Sequence, residues 1–600
     1  MVNYLFSLAN LLAFSPFSCY HGVRSQESGV RSQESGVRSQ ESGVRSQESG
    51  EKEKKVSKKF YITTPLYYVN DVPHIGHSYT TVAADVLARY KRLAGEDVFF
   101  LTGTDEHGQK IERAAKERNE TPKQLADRVV ENFKGLWTRL NISNDDFIRT
   151  TEERHKKAVT AFFLKLYEKG DIYRGKYEGW YCIPCETYCP EGQVEDQKCP
   201  SCGRQLEWLE EDGYFFRMSA YESELLDYLN KNPEFIMPEN RRQEIINIIK
   251  GGLKDLNISR ATFDWGIPVP VSDKNEIIYV WFEALINYIT AAGYMEDEEE
   301  NPAPVSGGHE NIHPRIQNPE SRIQNPESAS NGQKRFEKLW PADVHIIGKD
   351  ILKFHTIIWP TMLIAAGLKL PKMVVAHGWW TVNGKKMSKS SGNAIDPDDI
   401  ITQVGVDGYR YFLLKAVPFG QDGDFSQEAL IRRVNSDLAN DLGNLVTRTI
   451  AMVIKYFDGK IPSAQKEGDN PLKDLALQIV PIVDKAMCRL EFHNALSSIW
   501  ELIGECNRYV DKKAPWVLFK EGKTDELSSV LYNLLESIRF ITILVSPFIP
   551  GIAEAIWTHL GIERPLDEQM LSDLEWGRLQ KDGRIIPTVQ PIYARIQENG

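Results

Sequence analysis

Two distant segments of this 600-residue chain carry the same order of elements, and this repetition constrains the fold more than any other feature. In the first segment, an apolar run at 60–63 precedes a helical pattern at 78–93 and a second apolar run at 98–101. In the other, a run at 344–347 precedes a helical pattern and a run at 373–376. Buried strands that alternate with helices favour a parallel sheet with helices on both faces. The sequence therefore predicts an α/β fold with a doubly wound parallel sheet, split by an insertion.

Past about residue 430 the pattern becomes helical. Apolar residues recur at steps of three and four from Phe492 to Val510, and again from Leu527 to Val545. Seams of this kind predict helices that pack into a bundle. The α/β part is therefore followed by an all-α part.

Two segments have the composition of disordered chain. Four copies of Gly-Val-Arg-Ser-Gln-Glu-Ser fill residues 22–49, and the segment 297–333 contains two copies of Arg-Ile-Gln-Asn-Pro-Glu-Ser. With so few apolar residues, neither segment can bury a core. We expect both to be disordered.

Charge and hydropathy exclude several classes of protein. A net charge of −12 argues against a general nucleic-acid coat, which needs an excess of Lys and Arg, although a local basic surface stays open. No apolar run reaches the ~18 residues of a membrane helix, and no Lys or Arg precedes the apolar residues 4–14, as a secretory signal would require. We expect a cytoplasmic protein with no membrane contact.

A histidine pair precedes the first helical pattern. Gly76 lies between His74 and His77, so a phosphate chain can approach the backbone closely while amide N–H groups and the helix dipole face it. Two imidazoles at this place can donate to the α-phosphate of ATP in its pentavalent state. On its own, such a motif is more often a helix cap beside a surface histidine.

A lysine motif, Lys-Met-Ser-Lys-Ser, follows the second half of the sheet. Lys386 and Lys389 lie between Gly384 and Gly392, so their ammonium groups can move toward the β- and γ-phosphates as charge builds on leaving pyrophosphate. On its own, this stretch is more often a solvated basic loop. The two motifs in this order, each beside a predicted strand, indicate adenylation with ATP and Mg²⁺ as substrate.

Four of the eight cysteines form two Cys-x2-Cys pairs. Four thiolates can close a tetrahedral shell around one Zn²⁺ with no open position, so the metal would be structural. This clustering is typical of a metal site in a reducing compartment. Cys189 is an alternative ligand because it lies close to the first pair. The predicted ligands are Cys182, Cys185, Cys199 and Cys202.

At these motifs the chain resembles the class I aminoacyl-tRNA synthetases, whose HIGH and KMSKS signatures correspond to residues 74–77 and 386–390. Within the class it is most similar to the bacterial type of methionyl-tRNA synthetase that has a single zinc knuckle. The likeness covers about residues 58–580, and the N-terminal repeats lie outside it. Further matching segments are 64–70, 102–108, 279–284 and 347–351.

The resemblance implies a methionine–tRNA ligase. Such an enzyme activates L-methionine with ATP to methionyl-adenylate and transfers it to the 3′ end of tRNA(Met) for initiation and elongation. The implied catalytic residues are His74, His77, Lys386 and Lys389. The implied ATP-binding residues are His74, Gly76, His77, Lys386, Ser388 and Lys389. The implied methionine-binding residues are Leu66, Tyr68, Asp105, Trp281, Ala284, Tyr288, Ile351, His355 and Trp359, with Asp105 holding the ammonium group. The implied anticodon-binding residues are Asn444, Arg448 and Trp516.

The methionine pocket also has a physical basis. Trp281, Ala284 and Tyr288 share one helical face, and Ile351, His355 and Trp359 share another. Aromatic walls favour a polarizable thioether over an aliphatic side chain. Without the resemblance, such stripes are more often core, and Trp516 could equally be a core residue of the bundle.

The expected domain organisation follows the motifs. The predicted units are a disordered extension (1–57), the two halves of a Rossmann-like catalytic domain (58–171 and 266–378, with the disordered insert 297–333), a connective zinc insertion (172–265), the KMSKS and stem-contact region (379–430), a helical anticodon-binding domain (431–580) and a tail (581–600). We expect a monomer because the chain ends soon after the bundle. The alternatives are another class I synthetase, or a small-molecule adenylyltransferase with a His-x-Gly-His motif.

Overall fold

The structure is a computed structural model. It describes residues 57–70, 72–183, 187–189, 194–200, 203–296, 330–387, 395–463, 470–579 and 592–597. The N-terminal repeats lie outside the described residues, and so does the predicted disordered insert apart from its last four residues. Those last residues open a helix that begins at Asn331, so the predicted disorder does not extend to residue 333.

The strands follow the predicted runs and extend them. In chain order they are β1 (Lys59–Tyr68), β2 (Asp97–Asp105), β3 (Asp146–Arg149), β4 (Ile172–Cys182), β5 (Thr187–Cys189), β6 (Glu207–Phe216), β7 (Ile236–Met237), β8 (Leu256–Asn257), β9 (Ser259–Arg260), β10 (Ile277–Ile278), β11 (Val344–Gly348), β12 (Val374–His377), β13 (Trp380–Val382), β14 (Lys385–Lys386) and β15 (Gly423–Asp424).

The helices divide between the two parts of the chain. In chain order they are α1 (Ile75–Leu93), α2 (Gln109–Glu117), α3 (Pro122–Arg139), α4 (Glu153–Glu168), α5 (Glu222–Lys231), α6 (Glu239–Lys250), α7 (Val280–Leu285), α8 (Asn287–Ala291), α9 (Asn331–Leu339), α10 (Trp359–Ala365), α11 (Pro397–Lys415), α12 (Gln427–Arg433), α13 (Asn444–Phe457), α14 (Pro471–Cys488), α15 (Phe492–Lys513), α16 (Pro515–Lys520), α17 (Thr524–Val545) and α18 (Pro550–Leu560).

A six-stranded parallel sheet carries the first part of the described chain, in the order β3-β2-β1-β11-β12-β7. β1 and β11 come from the two predicted halves and pair at the centre, with Ile62 opposite Val344. The chain winds outward from this pair in both directions, so the strand order reverses there. Ligands of such sheets bind beyond the carboxyl ends of the strands at the reversal. The predicted doubly wound α/β fold is confirmed, and it fixes where a site should lie.

The segment 172–265 contributes to the main sheet as well as to an insertion. β4, β5, β6 and β8 form a separate antiparallel sheet, whereas β7 pairs with the edge of the parallel sheet beside β12. α5 and α6 hold β7 there because their apolar residues, including Leu229 and Ile245, share a buried cluster with Ile347 and Val374. The edge strand is only two residues long, which is too short for a periodicity to predict.

The helical part confirms the predicted bundle. Every apolar residue of the two seams is buried, from Phe492 to Val510 on α15 and from Leu527 to Val545 on α17. Among the described residues, α17 is the helix apolar and long enough to cross a membrane, but 89% of its most apolar window is buried inside the bundle. It is therefore the central core helix of this domain.

Candidate active site

His74 and His77 occupy the first turn of α1, which begins at Ile75 rather than at the predicted Ser78. Nδ1 of His74 accepts from the Gly76 amide at 3.0 Å, and Nδ1 of His77 accepts from the His74 amide at 3.1 Å. The two rings stack with their centroids 3.8 Å apart. Because each Nδ1 is an acceptor, the ring proton of each neutral imidazole lies on Nε2, which is then a donor. His74 is thus a helix cap, and the cap also fixes the tautomer.

Gly76 is required by this arrangement. A Cβ at this position would lie 2.9 Å from Cε1 of His74, closer than carbon atoms approach without displacement. Any larger residue would therefore separate the stacked rings. The glycine between the two histidines serves the geometry of the pair as well as the approach of a ligand.

One cavity of about 560 Å³ lies at the carboxyl ends of β1, β11 and β12. His74, Gly76 and His77 line one side of it, and Met387 lines it from the chain that follows β14. Met387 is the residue after Lys386, which ends β14; Ser388 and Lys389 lie outside the described residues. Met387, the described residue of the lysine motif that lines the cavity, therefore lies at the same cavity as the distant histidine pair.

A hydrogen-bonded link joins the two sides of this cavity. The Thr80 hydroxyl on α1 lies 3.0 Å from the Gly76 carbonyl oxygen and 2.6 Å from Nε2 of His377, the last residue of β12. Burial lowers the pKa of His377, so the ring is neutral at neutral pH. The first turn of α1 is thereby fixed to the strand that leads into the lysine motif.

Tyr288 and His355 form the floor of the cavity. Nδ1 of His355 lies 3.1 Å from the Ile351 carbonyl and donates to it, so Nε2 accepts from the Tyr288 hydroxyl at 2.8 Å. Burial lowers the pKa of His355 to about 4, which keeps this ring neutral. The floor is thus uncharged, and its polar atoms are paired with each other.

Aromatic rings make up one wall. Trp281 stacks on Phe354 with ring centroids 3.6 Å apart, and Tyr68 meets Trp281 edge to face. Phe354 is not among the predicted pocket residues, although it supports Trp281 from behind. Ring faces and edges of this kind give favourable contacts to sulfur.

Eight of the nine predicted methionine-binding residues line the cavity. They are Leu66, Tyr68, Asp105, Trp281, Ala284, Tyr288, Ile351 and His355. The ninth, Trp359, is fully buried behind the floor, 6.0 Å from Tyr288 between ring centroids. The segment Phe354–Ile358 is a π-helix, whose wider turn moves the residue eight positions after Ile351 off the cavity face. Regular α-helical spacing therefore does not hold here.

Asp105 is the single carboxylate among the predicted pocket residues. It ends β2, opposite Tyr68 on β1, and is 3% exposed. Its neighbour His107 contacts Glu283 of α7, with Nδ1 of His107 2.7 Å from Oε1 of Glu283. This buried contact ties the end of β2 to the helix that carries Trp281. The carboxylate is thus held in the cavity wall by the sheet itself.

The sequence did not predict the cavity residues that end or follow β11 and β12. Gly348, Asp350, His377, Gly378 and Trp379 line the cavity opposite the histidine pair. A signal for them existed, because the carboxyl ends of neighbouring parallel strands gather at one edge. A Cβ at Gly378 would lie 2.2 Å from the Gln421 carbonyl oxygen, so this strand end must carry glycine.

The predicted zinc ligands are only partly described. Cys182 and Cys199 are buried in one small cluster together with Cys189 and Leu206. Cys185 and Cys202 lie outside the described residues. Cys182 is the last residue of β4 and pairs with Thr187 across a hairpin, which places Cys189 on the facing strand. Within the described residues no group of three or more His, Cys, Asp or Glu side chains is arranged to hold a metal.

The predicted anticodon residues are on the surface of the helical bundle. Asn444 and Arg448 are exposed on α13, and Trp516 is 39% exposed on α16. Arg448 pairs with Asp511 at 3.1 Å, which joins α13 to the end of α15 shortly before Trp516. A core position for Trp516, the alternative reading of the sequence, is therefore wrong. Ala514 has a left-handed backbone (φ 42°) that ends α15 and turns the chain into α16.

Comparison with known proteins agrees with these features. The family described as tRNA synthetases class I (M) matches residues 60–207 and 203–450, and the anticodon-binding domain of tRNA ligase matches residues 476–588. A split parallel sheet with a histidine pair at the strand reversal, followed by a helical bundle, defines a class I aminoacyl-tRNA synthetase.

Individual relatives show which amino acid the similar enzymes of this class use. The chain is 52% identical over 544 residues to the methionine–tRNA ligase of Caldanaerobacter subterraneus, covering 90% of this chain and 79% of the relative. It is 46% identical to that of Thermotoga maritima, covering 90% and 80%. Methionyl-tRNA synthetase of Mycobacterium tuberculosis in complex with methionyl-adenylate superposes with a TM-score of 0.81 at 38% identity, covering 90% of this chain and all of that one. The chain belongs to the methionyl-tRNA synthetase family.

Proposed function

We propose that this enzyme activates L-methionine with ATP, releases pyrophosphate, and transfers the methionyl group to the 3′ end of tRNA(Met). One observation carries the proposal. A single cavity at the strand reversal is lined by the histidine pair on one side, by Met387 of the lysine motif on the other, and by an aromatic floor below. A phosphate-binding helix start and an apolar side-chain pocket in one cavity are what the activation of an apolar amino acid by ATP requires.

His74 and His77 act on the α-phosphate in this proposal. Both Nε2 atoms donate because both Nδ1 atoms accept from the backbone, and the amide groups at the start of α1 add partial positive charge. The negative charge that develops in the pentavalent state is thereby stabilised without any proton transfer. Lys386 and Lys389 stabilise the leaving pyrophosphate together with the Mg²⁺ that accompanies ATP.

Methionine binds across the rest of the cavity. The Asp105 carboxylate accepts from the substrate ammonium group, and the side chain extends over the floor of Tyr288 and His355 beside Trp281. A neutral, internally paired floor does not solvate a charged or hydroxylated side chain. The methionine carboxylate then attacks the α-phosphate because both reactants are held in one orientation. The tRNA ribose hydroxyl subsequently attacks the activated carbonyl and forms an ester, while the bond between the carbonyl carbon and the phosphate oxygen breaks and AMP leaves.

The helical bundle binds the tRNA anticodon. Asn444 and Arg448 can donate and accept at base edges, and Trp516 presents a ring on which a base can stack. We place the enzyme in the cytoplasm, where tRNA is charged for initiation and elongation. The monomeric state stays a prediction, which light scattering of the purified protein tests.

One structural Zn²⁺ is held by Cys182, Cys185, Cys199 and Cys202. The fit is supported by the burial of Cys182 and Cys199 in a cluster that, among the described residues, has Leu206 as its single buried aliphatic side chain. Apolar burial in so small a cluster adds little stability at this end of the insertion, and a metal bound by thiolates would supply it. Bound zinc would supply rigidity and no catalytic water, because four thiolates leave no open position.

Amino-acid-dependent exchange of pyrophosphate into ATP tests the proposal. We expect exchange with methionine alone among the twenty amino acids, and charging of tRNA(Met) but not of tRNA for leucine, isoleucine or valine. Replacement of Lys389 by Ala should cut exchange while methionine binding stays nearly intact. If no amino acid stimulates exchange, the proposal is wrong. If another small acid stimulates it instead, the enzyme is an adenylyltransferase of another kind.

A further inference from the structure

Exposed apolar surface is concentrated at one end of the helical bundle. Among the described residues, nine large hydrophobic side chains are strongly exposed, and three of them belong to the six-residue helix α16. They are Trp516, Val517 and Phe519, with exposed fractions of 39%, 40% and 48%. Single exposed apolar side chains are common on protein surfaces, whereas several on one short helix indicate a binding surface. The anticodon proposal uses Trp516 and leaves the other two unexplained.

Phe519 is stacked on a second aromatic ring. The rings of Phe519 and Tyr456 are nearly parallel, with centroids 4.3 Å apart and an interplanar angle of 22°. Tyr456 lies near the end of α13, the helix that carries Asn444 and Arg448. One face of Phe519 is therefore held by a partner ring, while about half of the side chain is open to solvent. A ring fixed in orientation and open on one side is what base stacking requires.

The spacing suits a single strand of nucleic acid. Phe519 follows Trp516 by three residues, so the two residues share one side of α16, and their backbone positions are about 4.5 Å apart along the helix axis. Two exposed aromatic residues on one side of a helix can each hold one unpaired base of a short loop. A paired helix could not reach them in the same way because its bases are already stacked.

The surrounding charge is complementary to a phosphate backbone. Lys520 follows Phe519, Lys455 precedes Tyr456, and Lys512 lies in the last turn of α15. All three are exposed, and none of them takes part in an ion pair with the residues that the structure describes. Of the acidic residues in the same stretches, Asp511 is paired with Arg448 and Glu521 with Lys523, so the three lysines outnumber the remaining one, Asp458. This excess of positive charge, in a chain with a net charge of −12, favours a polyanion over an apolar protein surface.

We infer that Phe519 and Tyr456 form a second base-stacking platform beside Trp516, and that it binds another unpaired nucleotide of the same anticodon loop. The inference rests on the proposed function, because it assumes that the bundle binds the tRNA anticodon. It adds a residue pair and a nucleotide that the family resemblance does not supply. Binding through this platform depends on the ring faces and not on hydrogen bonds to one particular base, so it adds affinity without reading sequence.

The test measures binding of an RNA hairpin, made of the anticodon stem and its loop of about seven nucleotides, to the full-length enzyme. Phe519→Leu keeps the apolar contact with the bundle but has no ring face, and we expect binding about 5- to 150-fold weaker, the equivalent of the ~1–3 kcal/mol of one base stack. Phe519→Trp should bind nearly as well as the native enzyme. Val517→Ala, on the same helix and similarly exposed, is the matched control and should change affinity less than about twofold.

A series of hairpins, each abasic at one loop position, identifies the nucleotide. The penalty of Phe519→Leu should vanish for one abasic position, and that of Trp516→Ala for a different one. A penalty that persists for every hairpin, or no penalty at all, overturns the inference. A dimer that Phe519→Leu abolishes while hairpin binding is unchanged also overturns it, since the patch would then contact protein.

Failure of this inference can be distinguished from failure of the proposed function. If Trp516→Ala weakens hairpin binding and tRNA charging while Phe519→Leu does not, only the second platform is refuted. If neither change affects hairpin binding, the stacking role of both rings fails, and if the native enzyme does not bind the hairpin, the anticodon role of the bundle itself fails. Methionine-dependent pyrophosphate exchange, which needs no tRNA, should be unchanged in both variants.

Discussion

The position of α1, and therefore of the histidine pair, depends on a buried arginine at the junction of the two parts of the chain. Arg410 on α11 is fully buried and donates to Asp85 on α1 at 2.7 Å. It also donates to the carbonyl oxygens of Leu140, Pro547 and Phe548, at 2.9 to 3.0 Å. One side chain thus joins the catalytic helix to α3 and to the turn between α17 and α18.

Replacement of Arg410 by Met should lower the free energy of unfolding by about 3–5 kcal/mol. Met fills a similar volume, but Asp85 would then be a fully buried carboxylate without its main partner, and three carbonyl groups would lose their donor. Burial alone would raise the pKa of Asp85, but Arg410 and Arg89 outweigh this and hold it below its ordinary value. The pair is therefore charged at neutral pH, and its contribution is full above pH about 4 and lost on further acidification.

Urea denaturation of the native enzyme and its variants measures this loss. The matched control is Arg89→Met, because Arg89 contacts the same carboxylate but is partly exposed, and we expect about 1 kcal/mol or less. The double variant Asp85→Asn with Arg410→Met should lose less than the sum of its two single variants. Equal losses for Arg410→Met and Arg89→Met, or strict additivity in the double variant, would refute the reasoning.

Three further predictions concern the cavity and the zinc insertion. His355 has a pKa near 4 against an ordinary value of 6.5, so the unfolded chain binds the proton first as pH falls, and this histidine alone should lower stability by up to about 3 kcal/mol between pH 6.5 and 4. Burial also lowers the pKa of His155, His345 and His377, so His355→Gln should remove only its own share of the drop in urea titrations, and an unchanged profile would contradict this. Gly378→Ala would clash with the Gln421 backbone, so it should displace the end of β12 and raise the KM for ATP in pyrophosphate exchange. The control Gly135→Ala on α3 meets only the flexible Arg139 side chain and should leave this KM unchanged, and an unaltered KM in both variants would contradict the predicted displacement. Atomic absorption should find one zinc per native enzyme and none in Cys199→Ala. The control Cys506→Ala changes a buried cysteine of the helical bundle and should retain the zinc, and zinc retained in both variants would exclude the proposed ligand set.

Much of the fold could be predicted because it depends on local pattern. The runs that begin at Phe60 and Val344 each have three apolar residues out of four, and the seams of α15 and α17 keep helical spacing over about five turns. Burial of these apolar residues therefore determines both the strands and the helices. β7 could not be predicted, because a two-residue edge strand is selected by packing against β12 and not by its own sequence. Tertiary contacts decide such short elements.

The site was predictable in its motifs and not in its details. Residues 74–77 could be recognised as a motif. The hydrogen bonds that both Nδ1 atoms accept from backbone amides depend on where α1 begins, and the sequence does not show this. The π-helix at Phe354–Ile358 breaks the regular spacing that would bring Trp359 to the cavity. Asp350 and Trp379 belong to strand ends that meet only in three dimensions. Periodicity contains no information on such deviations, because they are set by neighbouring elements.

The central claim is that the histidine turn and the lysine motif act on the same ATP molecule. Single-turnover formation of methionyl-adenylate, measured with enzyme in excess, tests it most directly. The account predicts that His77→Ala and Lys389→Ala each slow this step about 100- to 1,000-fold, while the Kd for methionine changes less than about twofold. An adenylate formation rate that stays native in either variant would contradict the claim.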